Sequence, residues 1–246
     1  MLYDELIIQK SGDDMYQFAI FDLDNTLLDF DQAEQVSLTT LLKRYHVPDL
    51  DHAVQVYRHY NDRVWREIEQ GANRDQLLNR RFAITFHELG LAVDGVQAQR
   101  DYMTLLGQGT QTFPGVRQLL TNLKQAGVTL LIGTNGVRQT QLSRITGAHL
   151  RPYFEHIFIS ETVGHDKPDV RFFETIERAY PQMTPHNTVM IGDSLRSDIT
   201  GGQRAHLSTI WYNPSATPHP AGAVEPTYTA VNFDQIQAFI LGLPLM

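Results

Sequence analysis

Two rhythms of apolar and polar positions divide the chain. The stretch Tyr16 to Phe30, YQFAIFDLDNTLLDF, opens as an apolar strand, and Val128 to Ile132, His156 to Ile159, Thr188 to Ile191 and Thr209 to Tyr212 are further short runs with the character of buried strands. Between them the spacing turns helical. Pro114 to Ala126 carries Val116, Leu119, Leu120 and Leu123 on one face and stops at Gly127, while Val170 to Tyr180 and Ser197 to Ala205 fill the next gaps. Alternating strands and helices with short connections predict an α/β fold, a mainly parallel sheet flanked by helices.

From about Gln32 to Gly109 that alternation stops. Helical segments are predicted around Gln32 to Tyr45, Leu50 to Gln70, Arg74 to Leu89 and Gly95 to Leu106, with no convincing strand, so an all-helical insertion is expected after the first strand. Hung over the C-terminal end of that strand, it is placed to act as a lid; a rigid subdomain without gating fits the pattern equally. The expected organisation is an N-terminal extension over 1–15, a core from 16–31 and 110–246, and the helical insertion over 32–109. Ser11-Gly12-Asp13-Asp14 is a breaker cluster whose two carboxylates read as solvated charge, and Asn213 to Pro226, with four prolines, reads as a loop.

Composition narrows the function classes. The chain has 246 residues, 42% of them hydrophobic, which suffices for a large core. A formal charge of −8 with no basic run points away from nucleic-acid polymers and anionic membranes, leaving small anionic ligands held by local cations. No cysteine occurs, so disulfides, thiol nucleophiles and thiolate metal sites are excluded, and the ten histidines show no zinc-ligand spacing. No stretch reads as a signal peptide or membrane span, which makes the cytoplasm the expected location.

Four segments carry candidate chemistry, each at or just after a strand end, where open α/β sheets keep their sites. Asp22 and Asp24 lie two residues apart, on one face of a strand, and converge as it ends. Such a pair suits a hard divalent ion, and a metal-bound carboxylate is also a nucleophile toward phosphorus, although Asp-x-Asp-Asn can equally just open a turn. Thr134-Asn135-Gly136 offers a hydroxyl and a nest of backbone N–H groups for an oxyanion, or an ordinary turn. Lys167, in Asp166-Lys167-Pro168-Asp169, is either a surface charge or the cation that neutralises carboxylates and phosphate. Gly192-Asp193 repeats the opening device, making Asp193 a candidate metal ligand; Asp198 either supports the site or caps a helix.

In this order, Asp22-Leu23-Asp24-Asn25-Thr26, Thr134, Lys167-Pro168 and Gly192-Asp193 with Asp198, the motifs resemble the haloacid dehalogenase superfamily in its phosphatase branch, from Phe18 to about Pro214. The insertion resembles a C1-type cap. The resemblance implies a Rossmann-like core and a Mg²⁺-dependent phosphoaspartyl mechanism. Asp22 would be the nucleophile, Asp24 the general acid and base, Thr134 and Asn135 phosphate ligands together with Lys167, and Asp22, Asp193 and the Asp24 carbonyl the metal ligands. The wording of FDLDNTLLDF, TNG, SETVGHDKPD and IGDSLRSDITGG followed by Trp211-Tyr212-Asn213-Pro214 resembles the YjjG/YfnB-type pyrimidine 5'-nucleotidase subgroup, which implies a nucleoside 5'-monophosphate as the small phosphorylated substrate.

Other readings use the same core: a sugar-phosphate phosphatase or phosphomutase, a 2-haloacid dehalogenase, or a phosphate-ligand binding protein without activity. Asp24 argues against dehalogenation, because a leaving halide needs no acid, and a pure binder needs no nucleophile with its acid. In the insertion Tyr57, Tyr60, Trp65 and Phe82, with Arg66, Arg80 and Arg81, are aromatic and cationic candidates for base or phosphate contact. Apolar residues there can face the core or another subunit, so the oligomeric state is left open.

Overall fold

A computed structural model describes residues 15–244; the expected extension over 1–15, with Asp13 and Asp14, lies almost wholly outside the described residues. Six strands, β1 (Phe18–Phe21), β2 (Thr129–Thr134), β3 (His156–Ile159), β4 (Thr188–Gly192), β5 (Ser208–Tyr212) and β6 (Tyr228–Ala230), form one parallel sheet in the order β3-β2-β1-β4-β5-β6. This is the doubly wound order, and the chain reverses direction across the sheet beside β1. Asp22 therefore emerges at the switch point, where the loops after β1 and β4 part.

Four helices follow β1 directly: α1 (Phe30–Arg44), α2 (Leu50–Glu69), α3 (Arg74–Glu88) and α4 (Gly95–Leu106). Asp29, Asp49, Asn73 and Asp94 each cap one of them, accepting a backbone N–H from the first turn at 2.9 to 3.0 Å, which explains where each begins. Leu38, Leu41, Leu42, Tyr57, Phe82, Phe86, Ala98 and Tyr102 give this insertion a core of its own. A Cβ on Gly95 would collide with the Ala83 backbone, so only glycine lets α4 approach α3 this closely.

The remaining helices flank the sheet: α5 (Val116–Gln125), α6 (Arg138–Gly147), the single turn α7 (Ser160–Val163), α8 (Val170–Ala179), the short α9 (Thr200–Arg204) and α10 (Phe233–Leu241). Alternation along β1 divides the core between two layers, as a period of two requires. Ala19 and Phe21 pack with Leu119, Leu120, Leu123, Ile236 and Ile240 of α5 and α10, while Phe18 and Ile20 meet Phe172, Phe173 and Ile176 of α8. Each such Phe or Leu removed from water contributes about 1.5–3 kcal/mol.

The sequence pattern misses four elements, one of them the single turn α7. Strand β6 has only three residues at the sheet edge, α10 follows the proline-rich loop, and α6 turns polar side chains inward. The helix expected from Ser197 to Ala205 is instead a π-helical turn over Leu195–Ile199 that leads into α9. Among the described residues no helix is long and apolar enough to cross a membrane.

Candidate active site

Loops after β1, β2, β3 and β4 meet at the C-terminal edge of the sheet. Asn25 adopts a positive φ of 54°, which asparagine tolerates, and its side-chain carbonyl accepts the N–H groups of Phe30 and Asp31 at 3.1 and 3.2 Å. That contact bends the chain after Asp24 back into α1.

Lys167 is 1% exposed and is the centre of the arrangement. Its ammonium donates to Asp22 Oδ1, Asp198 Oδ1 and the Gly133 carbonyl, each at 2.6 Å, so all its hydrogens are used. The backbone beneath is locked as well: Asn135 accepts the Lys167 N–H and donates to its carbonyl, both at 2.9 Å. The Asn135 side chain is thereby committed to scaffolding, and the residue lines the cavity. Thr134 is fully buried and its hydroxyl accepts from Gln141 Nε2 at 2.9 Å.

Asp198 does not cap a helix; Ser194 does, accepting from the Ser197 N–H at 3.1 Å. The Asp198 carboxylate is instead held between Lys167 and the Ser194 N–H, at 3.0 Å from the latter. Gly192 makes room for it, since a Cβ there would overlap the Asp198 side chain. Asp193 is fixed through its carbonyl, which accepts from Trp211 Nε1 at 2.8 Å.

Carboxylate oxygens of Asp22, Asp193 and Asp198 lie within 4.8 Å of one another. Three carboxylates face one ammonium, so two negative charges stay uncompensated by Lys167. Burial pushes the Asp22 carboxyl up to about 7, against the pull of Lys167 and with help from Asp198 and Asp24. Burial, then Asp198 and Asp22, also hold Asp193 well above the usual carboxylate range. Burial alone would depress the Lys167 ammonium, yet Asp198 and Asp22 keep it above its ordinary value. An all-oxygen donor set with surplus negative charge fits a hard divalent cation such as Mg²⁺.

Two residues that sequence reasoning did not single out hold Asp24. Arg144 of α6, wholly buried, pairs with one Asp24 oxygen, and Gln141 Nε2 donates to the other at 2.9 Å. Arg144 Nε also donates to the Gly109 carbonyl at 2.9 Å, and its guanidinium lies over the Phe30 ring at 5.4 Å. The one available signal was polar residues at Thr140, Gln141 and Arg144, helical spacing on a single face.

A cavity of about 620 Å³ joins these groups to the insertion, with Asp22, Asp24, Lys167 and Asp193 at one end and Glu34, Asn61, Trp65, Arg81 and Tyr102 at the other. Of the insertion residues named from sequence, Trp65 and Arg81 line it, and Tyr57 and Phe82 are buried behind it. The others do not join the site: Tyr60 bonds Glu88, Arg66 pairs with Asp62, and Arg80 is exposed. Insertion and sheet edge are joined by Arg74, which bonds Gly136, Ser160 and Asp166, and by Arg196, which pairs with Glu69 at 2.5 Å.

Comparison with known proteins agrees with this architecture. The profile of the family described as haloacid dehalogenase-like hydrolase matches residues 19–212. Pyrimidine 5'-nucleotidase PynA of Streptococcus pneumoniae is 38% identical over 222 residues, 90% of this chain and 93% of that protein. The magnesium-bound crystal structure of the HAD-hydrolase YfnB of Bacillus subtilis superposes with a TM-score of 0.84 at 35% identity, covering 92% of this chain and 99% of that one. L-2-haloacid dehalogenase of Xanthobacter autotrophicus shares the fold alone, with a TM-score of 0.73 at 17% identity over 94% of this chain and 100% of that one. With its acidic loops gathered around a buried lysine at the switch point of a doubly wound sheet, the chain belongs to the haloacid dehalogenase-like hydrolases.

Proposed function

We propose that this hydrolase is a cytoplasmic Mg²⁺-dependent phosphomonoesterase whose favoured substrate is a nucleoside 5'-monophosphate, with residues 32–109 acting as a cap over a core of 16–31 and 110–246. The observation that carries it is the buried Lys167 ammonium shared by Asp22 and Asp198, with Asp193 beside them, at one end of a cavity large enough for a nucleotide. The likeness to PynA supports the choice of substrate.

In this mechanism an Asp22 oxygen attacks phosphorus in line, the P–O bond to the nucleoside breaks, and Asp24 gives its proton to the departing 5'-oxygen. A water then attacks the Asp22 acyl phosphate, and Asp24 takes a proton from it, releasing phosphate and restoring Asp22. Lys167 offsets the charge on Asp22 and on the transferring phosphoryl, and the Thr134 hydroxyl and the Asn135 backbone N–H receive its oxygens. Asp22, Asp193 and the Asp24 carbonyl would hold Mg²⁺, with Asp198 supporting them. When bound, the ion supplies positive charge that lowers the Asp22 carboxyl and stabilises the phosphoryl oxygens. Arg144 and Gln141 orient Asp24.

The test is phosphate release from nucleotides, sugar phosphates and p-nitrophenyl phosphate, with and without Mg²⁺, beside Asp22→Asn. Turnover is expected to require the ion and to fall by roughly 10³-fold or more in the variant. Turnover that ignores either would overturn the reading.

A further inference from the structure

Arg81 is 3% exposed, yet among the described residues it pairs with no carboxylate. Its Nε donates to Gln99 at 2.8 Å, Nη1 to Asn61 Oδ1 at 2.6 Å, and Nη2 reaches only the Met103 sulfur at 3.5 Å. The rings of Tyr57, Phe82 and Tyr102 surround the guanidinium, with centroids 5.6, 5.7 and 5.0 Å away. Ring contacts return about 0.5–2 kcal/mol each, whereas desolvating an unpaired ion costs several. Each Nη keeps a hydrogen without a protein partner among the described residues.

Two neighbours on the same cavity are equally underused. Glu34, 6% exposed, has only long contacts, to the Tyr102 hydroxyl at 3.5 Å and to Arg58 at 3.4 Å. Asn61 has its amide oriented by Arg81, which takes the oxygen and leaves Nδ2 without a partner among the described residues. None of these groups is needed for phosphoryl transfer. They lie at the far end of the cavity from Asp22, toward which the leaving group of a bound phosphomonoester projects.

Unspent N–H donors with a carboxylate acceptor, backed by aromatic rings, complement a flat heterocycle that carries carbonyl oxygens and a ring N–H. We infer that Arg81, Asn61 and Glu34 form a base-reading subsite for the keto edge of a pyrimidine, with Arg81 and Asn61 Nδ2 donating to ring carbonyls and Glu34 accepting the ring N–H. Uracil and thymine satisfy all three groups. Cytosine turns a ring-nitrogen lone pair toward the Glu34 carboxylate and is disfavoured. The subsite rests on the phosphomonoesterase reading above and adds the groups that select among its substrates.

The experiment measures kcat/KM with Mg²⁺ for UMP, CMP and ribose 5-phosphate in the native protein and in Glu34→Gln, Asn61→Ala and Arg81→Lys. The native protein is expected to prefer UMP to both others. Each variant is expected to lower the ratio of UMP to ribose 5-phosphate on the order of tenfold, as loss of a designed hydrogen bond does, and Glu34→Gln to narrow the gap between UMP and CMP. Should Arg81→Lys fail to fold, the half-buried Asn61 carries the test. Unchanged ratios in the variants, or no native preference for UMP, overturn the subsite while leaving the phosphomonoesterase reading intact. No Mg²⁺-dependent phosphate release from any of the three esters overturns both.

Discussion

Each end of the cavity buries a cation, and the two are treated in opposite ways. Lys167 spends every hydrogen on Asp22, Asp198 and the Gly133 carbonyl and is still outnumbered by carboxylates. Arg81 is held by neutral partners and aromatic rings and keeps hydrogens in hand. The contrast matches what the proposed function asks of each end. Where charge moves during a reaction, fixed opposite charges must already be in place, because reorganising them would cost at the moment of reaction. Where a neutral group is to be chosen, donors left unsatisfied by the protein reject any ligand that cannot satisfy them.

The largest expected effect breaks the charged end. Lys167→Met leaves Asp22 and Asp198 buried without a counter-ion, so turnover should fall by roughly 10³-fold or more, and urea denaturation without Mg²⁺ should show a loss of about 3–5 kcal/mol. A variant as stable as the native protein would show that the lysine is not what compensates these carboxylates. Arg144 is buried behind Asp24 at the charged end, and Arg144→Ala should lower kcat on the order of 10²-fold with KM little changed, the signature of a misdirected general acid. Arg144→Lys should restore part of that loss. A change confined to KM would assign Arg144 to substrate binding.

The smallest effect sharpens the comparison through pH. Burial raises the folded Asp22 carboxyl from 3.8 to about 7, so between those values the folded chain binds more protons than the unfolded one. Stability without Mg²⁺ should then fall as pH rises through this window, and be fully regained only below the unfolded value. Asp22→Asn should flatten the profile, and Mg²⁺ should stabilise the native protein most at the upper end. A native profile that rises across the window would contradict the burial of an uncompensated carboxyl.

Strand ends were easy to read in the sequence because a buried parallel strand is a compact apolar run, and an acidic residue just after it stands out. That pattern singles out Asp22, Asp24 and Asp193, and the structure brings them together with Lys167. Helices α1 to α4 were legible through their helical spacing. What escaped around the site has a common cause: the inward faces there are polar. Helix α6 buries Thr140, Gln141 and Arg144, so its pattern looks like that of a solvated helix. Arg80 and Arg81 are adjacent and chemically identical, and only the packing of α3 against α2 and α4 buries one and exposes the other. Asp198 could not be assigned from sequence, because its role depends on a π-helical turn and on Gly192 lacking a side chain.

Arg144 touches Asp24 just after the chain leaves the sheet, Phe30 where α1 starts, and the Gly109 carbonyl where the chain returns. One side chain thus rivets the two strands of linker to each other and to the acid. For anyone exchanging helical insertions between relatives, the practical boundary is therefore not the linkers themselves. A donor segment brings its own counterpart of Gly109, and it can seat only on a recipient whose Phe30 and α6 arginine have the same reach; otherwise the splice disturbs Asp24 even though no residue of the sheet has been altered.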